Sequence, residues 1–212
     1  MNNTTLRENK QLFNSQVSIS TDDVLLVPQT GCLSHRKDAN FDSPFIYSSP
    51  MDTVTGLSLT EKVLQNNQAA VFCRFLDDDQ KYKALSKYHS KENFWFSVGA
   101  SLEDFEAINL WVGLQKKKKN ITINISIDVA HGDTLDLHRI YALYRKRPWC
   151  RGLMSGTVAT YKGAKNVYNS GCTHIRVGIG PGSACTTRIV TGCGVPNLTA
   201  IFNIYSEFQY LD

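Results

Sequence analysis

The 212-residue sequence predicts an α/β fold in which a sheet of parallel strands is covered by helices. Short apolar segments alternate with longer segments of helical periodicity along most of the chain. The connections are short, and strands that alternate with helices in this way form parallel sheets through right-handed crossovers. Polar and glycine residues collect just after several apolar segments. This last pattern favours a barrel over an open sheet, because one switch point dominates the site of an open sheet.

The elements follow one another in a regular order after a polar arm at residues 1–20, and we expect one folded domain at residues 21–212. A short apolar run at 22–28 is stopped by proline, and polar loop follows it. Six strands are predicted, at residues 45–48, 69–72, 94–98, 121–129, 152–155 and 173–177. Helices are predicted at 57–65, 77–88, 102–114, 161–170 and 198–211, with a further one between Asp133 and Pro148. The chain therefore supplies about six of the eight units of a TIM (β/α)8-type barrel, which is incomplete.

Local signals support the predicted helices. Three aspartates at 77–79 suit a helix N-terminus, where the helix dipole favours negative charge. Asp133 is placed to cap the predicted helix that ends before Pro148, and Gly171 is placed to end the helix at 161–170. The helix at 102–114 has its apolar residues at helical spacing, which predicts an inward face made of Leu102, Phe105, Ile108, Trp111 and Val112.

Composition excludes several classes of protein. The hydrophobic fraction of 42% and the net charge of +4 are ordinary for a globular protein, and no apolar run approaches the roughly 18 residues of a membrane span. The N-terminus lacks the apolar core of a secretory signal, so we expect a cytoplasmic protein with free thiols. Six cysteines without a C-x-x-C pair argue against zinc and disulfide scaffolds. The basic runs lack interleaved aromatic residues, and we expect no nucleic-acid partner.

A cysteine stands in a glycine loop after the last predicted strand. Residues 178–188 read Gly-Ile-Gly-Pro-Gly-Ser-Ala-Cys-Thr-Thr-Arg, and the glycines allow the backbone to approach a ligand closely. Backbone N–H groups and Arg188 lower the pKa of a nearby thiol, so Cys185 is predicted to be a nucleophile, against the alternative of a small buried residue. The carbonyl groups of Gly180 and Gly182 suit a monovalent cation, or their N–H groups a phosphate, for which Ser183 is the natural donor.

Two polar residues follow the fourth predicted strand. Asp128 is placed to hold the ribose hydroxyls of a ligand or to cap the next turn, and both interpretations stay open. His131 is a candidate base, but it has no second histidine at i+4, which argues against a metal site. His35, His89 and His138 are expected to be surface residues.

Five segments together resemble one known family. They are residues 176–196 around the cysteine, and DDVLLVP at 22–28, SSPMDTVT at 48–55, DVAHG at 128–132 and SGTVAT at 155–160. In this order they are similar to the IMP dehydrogenase / GMP reductase family of barrel enzymes. The match at 176–196 is almost residue for residue with the family's catalytic cysteine loop. An unrelated glycine-loop barrel, such as a phosphate-sugar isomerase, is disfavoured by the ordered set of matches.

The resemblance implies a (β/α)8 fold in which Cys185 attacks C2 of a purine nucleotide and forms a covalent thioimidate, with Thr187 assisting. It implies that the substrate site contains Ser49, Met51, Arg176, Gly182 and Ser183, the last of which holds the 5′-phosphate. Asp128 and Gly178 then belong to the nicotinamide side, and the carbonyl groups of Gly180, Gly182 and Cys185 match a potassium site.

Two related reactions are implied. The reductase converts GMP to IMP and ammonia with NADPH, and the dehydrogenase oxidises IMP with NAD. Only about twenty residues separate the second and third predicted strands, which leaves no room for the CBS domains of many dehydrogenases and favours GMP reductase. The segment SSPMDTVT is more similar to the corresponding sequence of the dehydrogenase, so IMP dehydrogenase is the alternative. A non-catalytic nucleotide-binding relative is the other hypothesis.

The sequence departs from the family in two places. Thr157 stands where the family commonly has asparagine. After the sixth predicted helix the family continues with two more strand and helix units, which carry a second phosphate-binding segment and a mobile flap. We therefore expect the chain to be a poor catalyst alone. We expect a complementing C-terminal polypeptide or a homo-oligomer, which is a tetramer in the family, because unpaired apolar strand edges promote association.

Overall fold

A computed structural model describes residues 18–27, 35, 44, 46–115, 121–182 and 185–208. In this part of the chain, five parallel strands form one sheet in sequence order. The strands are β1 (Ala70–Phe72), β2 (Phe94–Val98), β3 (Ile123–Ile127), β4 (Cys150–Val158) and β5 (His174–Val177). The helices are α1 (Leu57–Gln65), α2 (Asp78–Tyr88), α3 (Leu102–Leu114), α4 (Leu135–Arg145), α5 (Tyr161–Asn169), α6 (Thr187–Thr191) and α7 (Asn197–Phe208).

Four of the described helices begin at side-chain caps. Asp77, Ser101, Thr134 and Thr160 each accept the backbone N–H of the residue three positions later, and they start α2, α3, α4 and α5. Such caps satisfy donors that the first helical turn leaves unpaired. Thr134 therefore caps α4, where the sequence indicated Asp133.

The first predicted strand is reduced to an isolated bridge between Tyr47 and Ala69, and Phe45 lies outside the described residues. This bridge still extends the sheet beyond β1, since the Ala69 N–H donates to the Ile46 carbonyl at 2.9 Å. The sequence also missed α6, a five-residue helix inside the cysteine loop. The predicted fourth strand is shorter in the structure and the fifth is longer, at Ile123–Ile127 and Cys150–Val158.

The sheet curls, so that side chains on its inner face meet across the concave side. The rings of Trp95 in β2 and His174 in β5 lie 4.6 Å apart between centroids in an edge-on arrangement. Tyr47, from the bridge beyond β1, lies 6.5 Å from the same histidine ring. In a flat sheet, strands three positions apart lie about 14 Å apart. The fold is therefore an incomplete TIM barrel, and it confirms the predicted fold class.

Most of the core lies between the outer face of the sheet and the helices. Alternate residues of the strands, including Phe94, Phe96, Ile125 and Ile127, are buried there against Phe105 and other side chains of the helices. The inner face carries a separate, smaller apolar cluster made of Ala69, Val71, Trp95 and Met154. Helices on one face and barrel interior on the other explain why the strands are buried along their length.

Some apolar residues outside this core are exposed. Leu25 and Leu26, in the apolar run before Pro28, are 94% and 97% exposed. In α3, Phe105, Ile108 and Trp111 are buried as predicted, whereas Leu102 is exposed. Among the described residues, no helix is both long enough and apolar enough to cross a membrane.

The loop after β3 lies directly against β4. A Cβ atom added to Gly132 would lie 2.6 Å from the carbonyl carbon of Gly156, and one added to Gly156 would overlap Val129 Cγ2. The buried Tyr141 of α4 fixes this contact, because its hydroxyl donates to the Gly132 carbonyl at 2.9 Å and accepts the Gly156 N–H at 3.1 Å. Burial raises the pKa of Tyr141, so the hydroxyl stays protonated and keeps both bonds.

We expect Gly132→Ala to destabilise the protein by about 1–3 kcal/mol, because the added methyl group meets backbone that has no space to move. Gly113→Ala is the matched control, since nothing lies within 4 Å of the added Cβ in α3 and alanine is the better helix former. Urea denaturation measures both. Equal stability of the Gly132→Ala variant and the parent protein would contradict this packing.

Candidate active site at the carboxyl edge of the sheet

Three charged side chains meet where the strands end. Asp128 follows β3, and its backbone N–H donates to the carbonyl of Val98 at 2.8 Å. Its carboxylate oxygen Oδ1 accepts from Arg176 Nη1 of β5 at 3.1 Å, and Oδ2 lies 3.4 Å from Nε of Arg74. The carboxylate side chain is 18% exposed. The cluster carries one net positive charge at the mouth of the barrel.

Sequence reasoning missed Arg74. It follows the second predicted strand after a single cysteine, so the rule that polar residues after strands line the site applies to it as well. Its guanidinium also lies 3.9 Å from the ring centroid of Phe75, which is 63% exposed. Arg74 and Phe75 therefore present a cation and an aromatic face beside Asp128.

The cysteine loop is shaped by glycines and closed by a short helix. Gly178 and Gly180 have φ values of 118° and 75°, which are unfavourable for residues with a Cβ atom. A Cβ atom on Gly178 would also lie 2.5 Å from Asn197 Oδ1, and one on Gly180 would lie 2.9 Å from Cβ of Arg188. Both positions thus require glycine, and they fix the path that leads to Cys185.

The environment of Cys185 favours its thiolate. The side-chain hydroxyl and backbone N–H of Thr187 lower the pKa of the Cys185 thiol, and the charge of Arg188 contributes in the same direction. The buried cysteines behave in the opposite way, since burial raises the pKa of Cys150 and of Cys172 to about 12. The sequence-based prediction that most cysteines are small buried residues is confirmed for Cys73, Cys150 and Cys172.

Thr157 of β4 turns toward the loop after β3. Its hydroxyl donates to the carbonyl of Ala130, and its backbone carbonyl accepts the N–H of Gly132 at 2.7 Å. The side chain is thereby engaged within the protein. It braces the loop between Asp128 and Gly132.

The remaining residues of the predicted site have varied settings. Met51 is 45% exposed in a turn after the Tyr47 bridge, and the Thr55 hydroxyl donates to the carbonyl of Ser49 at 2.5 Å. The Cys73 N–H donates to the Thr55 carbonyl at 3.2 Å, which ties this turn to the end of β1. Within the described part of the chain, no hydrogen bond joins Ser49 or Met51 to the cysteine loop. Ser183 lies outside the described residues.

The predicted cation ligands are backbone carbonyl groups of the same loop. The Gly182 carbonyl accepts the Cys185 N–H at 3.0 Å. The described residues contain no cluster of three or more His, Cys, Asp or Glu side chains arranged for a metal ion. The potassium site therefore remains a prediction that rests on carbonyl oxygens.

The histidines differ from expectation in two cases. His89 was expected to be a surface residue, but it is partly buried, and its ring lies 5.9 Å from the ring of the buried Trp111 between centroids. His131 is exposed beside the site. His138 was expected to be an ordinary surface residue, but both of its ring nitrogens have partners, Asp133 and Ser170. The sequence did not indicate this arrangement, because Ser170 lies 32 residues after His138.

Comparisons with known proteins agree with this geometry. A sequence profile of the IMP dehydrogenase / GMP reductase domain matches residues 18–212. A GMP reductase of Caenorhabditis elegans is 27% identical over 194 residues, which cover 84% of this chain and 53% of that protein. A GMP reductase of Lactobacillus acidophilus is 27% identical over 189 residues, covering 85% and 56%. An inosine-5′-monophosphate dehydrogenase of Streptococcus pyogenes is 47% identical over 79 residues, covering 37% and 16%. The chain spans about half the length of these GMP reductases.

We expect Thr187→Val to raise the pKa of Cys185 and to slow its alkylation by iodoacetamide near neutral pH roughly threefold to tenfold, because less thiolate is present. The difference in alkylation rate should disappear at alkaline pH, where Cys185 is a thiolate in both proteins. Thr187→Ser keeps the hydroxyl and is the matched control. Mass spectrometry follows Cys185 with the exposed Cys193 as internal reference, and unchanged alkylation in the valine variant would contradict this role of Thr187.

Proposed function

The chain belongs to the IMP dehydrogenase / GMP reductase family, whose members are NAD(P)-dependent oxidoreductases of purine nucleotides, and we propose that it takes part in such a reaction through Cys185. The observation that carries the proposal is the lowered pKa of the Cys185 thiol in a glycine loop at the carboxyl edge of the sheet. Active sites of barrels of this type lie at that edge.

Cys185 is the proposed nucleophile. Its thiolate forms a bond to C2 of the purine. In the reductase direction the amino nitrogen takes up a proton from water, its bond to C2 breaks, and ammonia leaves. The hydroxyl of Thr187 stabilises the thiolate before attack and again when the sulfur is released. Bound nicotinamide supplies or accepts the hydride. The proposed substrate contacts are Ser49, Met51, Arg176, Gly182 and Ser183, with Ser183 on the phosphate.

Asp128 and Gly178 are the proposed contacts of the nicotinamide cofactor. Each Asp128 oxygen has one arginine partner, and a carboxylate has about four accepting positions, so it retains capacity for ribose hydroxyls. Gly178 directly follows β5, at the same edge of the sheet as Asp128, and this placement supports its assignment. The proposed potassium ligands are the carbonyl oxygens of Gly180, Gly182 and Cys185. Oxygen atoms are the type of ligand that K⁺ prefers, and this supports the proposed site.

GMP reductase with NADPH is the preferred reaction. Helix α2 and its two short connections fill the whole chain between β1 and β2, so no inserted domain is present there. The two GMP reductases also match most of this chain, whereas the dehydrogenase matches 37% of it at higher identity. IMP dehydrogenase with NAD is the alternative. All described cysteines are free thiols, which supports a cytoplasmic protein.

Turnover tests this proposal directly. The assay is run with and without a C-terminal half of a family member, and we expect GMP with NADPH to be consumed in the complemented protein, with loss of reduced-cofactor absorbance. IMP with NAD should react more slowly. Cys185→Ala should abolish turnover, by roughly 10³-fold or more, because the covalent step is lost. Cys193→Ala is the matched thiol control. If calorimetry shows nucleotide binding but neither reaction turns over, the proposed enzymatic function is wrong and the chain is a nucleotide-binding relative.

We further propose that another polypeptide segment completes the barrel. The outer edge of β5 and that of the Tyr47 bridge have no strand partner among the described residues. Unpaired edges of this kind template further strands. A complementing C-terminal polypeptide fits this geometry, as does assembly into a homo-oligomer.

Sedimentation and native mass spectrometry test the assembly. We expect the purified chain to associate with itself, or to form a stable complex only when a C-terminal half of a family member is co-expressed. Turnover should rise in that complex, because the missing side of the barrel is restored. A monomer that remains folded, and whose turnover is unaffected by the added half, would contradict the proposal.

A further inference from the structure

A serine, a histidine and an aspartate lie in line between α4 and α5, away from the cysteine loop. The Ser170 hydroxyl oxygen is 2.7 Å from His138 Nδ1, and His138 Nε2 is 2.8 Å from Asp133 Oδ1. Asn166 holds the aspartate from the other side, since its amide donates to both carboxylate oxygens at 3.2 and 3.3 Å. These are the distances at which a nucleophile, a base and an orienting carboxylate act together.

The hydrogen bonds among Ser170, His138 and Asp133 favour one position of the imidazole proton. Asp133 accepts, so the facing nitrogen Nε2 carries the proton, and Nδ1 of neutral His138 is free to accept from the serine. The Ser170 hydroxyl also donates to the Asn166 carbonyl at 2.9 Å, so its proton has two acceptors. That carbonyl already accepts the Ser170 backbone N–H at 3.1 Å, and His138 Nδ1 is the nearer acceptor of the hydroxyl proton at 2.7 Å.

The line is reachable from solvent and yet held in place. The His138 and Asp133 side chains are 23% and 21% exposed, and Ser170 is half-buried at the end of α5. The Tyr141 ring packs edge-on against the imidazole at 6.2 Å between centroids. An electrophile can reach the serine while the base keeps its orientation.

We propose that Ser170 is a nucleophile that accepts acyl groups from activated esters, with His138 as its base and Asp133 as the residue that orients the base. The Ser170 oxygen forms a bond to the acyl carbon, and the bond from that carbon to the leaving oxygen breaks. The hydroxyl proton passes to His138 Nδ1 and then to the leaving alcohol or phenol. The product is an acyl ester of Ser170.

The surrounding backbone limits the reaction to reactive donors. The N–H groups of Ser170, Gly171 and Cys172 all donate to carbonyl groups of α5 within 3.2 Å. They are therefore not available to stabilise an oxyanion, which accounts for a large part of catalysis in serine hydrolases. Aryl esters and similar donors are the expected class, and amides are excluded.

Ser206 provides a control within the same molecule. Its hydroxyl donates to the carbonyl of Asn203 at 3.3 Å in α7, so it is another serine bonded to its own helix. None of the described contacts gives it a histidine partner. The purified protein is treated with p-nitrophenyl acetate near neutral pH, and acetylation of each serine is followed by peptide mass spectrometry.

We expect Ser170 to be acetylated about 10²-fold faster than Ser206, the usual gain from a positioned base. His138→Gln should bring Ser170 down to the rate of Ser206, and Asp133→Asn should slow it at least tenfold with circular dichroism unchanged. Equal rates at Ser170 and Ser206 in the parent protein would overturn the proposal, and this comparison needs no variant to fold. The outcome is independent of turnover at Cys185.

Discussion

The carboxylate of Asp128 joins parts of the sheet that sequence keeps far apart. Its strand, β3, is at the centre, while Arg74 follows β1 and Arg176 lies in β5, each two strands away. Two strand spacings amount to about 10 Å in a flat sheet. The long arginine side chains and the curl of the sheet together bring both guanidinium groups to one carboxylate at the mouth of the barrel.

These ion pairs organise the mouth of the barrel more than they stabilise the fold. Partly exposed pairs contribute on the order of 1 kcal/mol or less each. The larger share of stability comes from the outer face of the sheet, where aromatic and branched side chains are buried against the helices. The inner face can therefore carry buried polar residues such as Ser97, Asn124 and Ser126 without being the main source of stability.

The contact between Gly132 and Gly156 transmits this organisation to the loops. It lets the segment after β3 lie on β4, while Tyr141 and Thr157 bind the same segment from two sides. Asp128 stands at one end of that segment and Asp133 at the other. One braced loop thus presents a carboxylate to the candidate active site at the mouth of the barrel and another to His138.

The sequence by itself determined the order and type of nearly every element and the glycine loop around Cys185. These follow from periodicity, capping residues and backbone preferences, which are properties of neighbouring residues. It failed at residues 45–48, where the strand is only a bridge, and at α6, which lies inside a loop rich in glycine. Only the tertiary structure decided that Arg74 and Arg176 share Asp128, and that Ser170 meets His138 across 32 residues. Those contacts depend on how far the sheet curls and how two helices pack, and no local pattern in the chain records either.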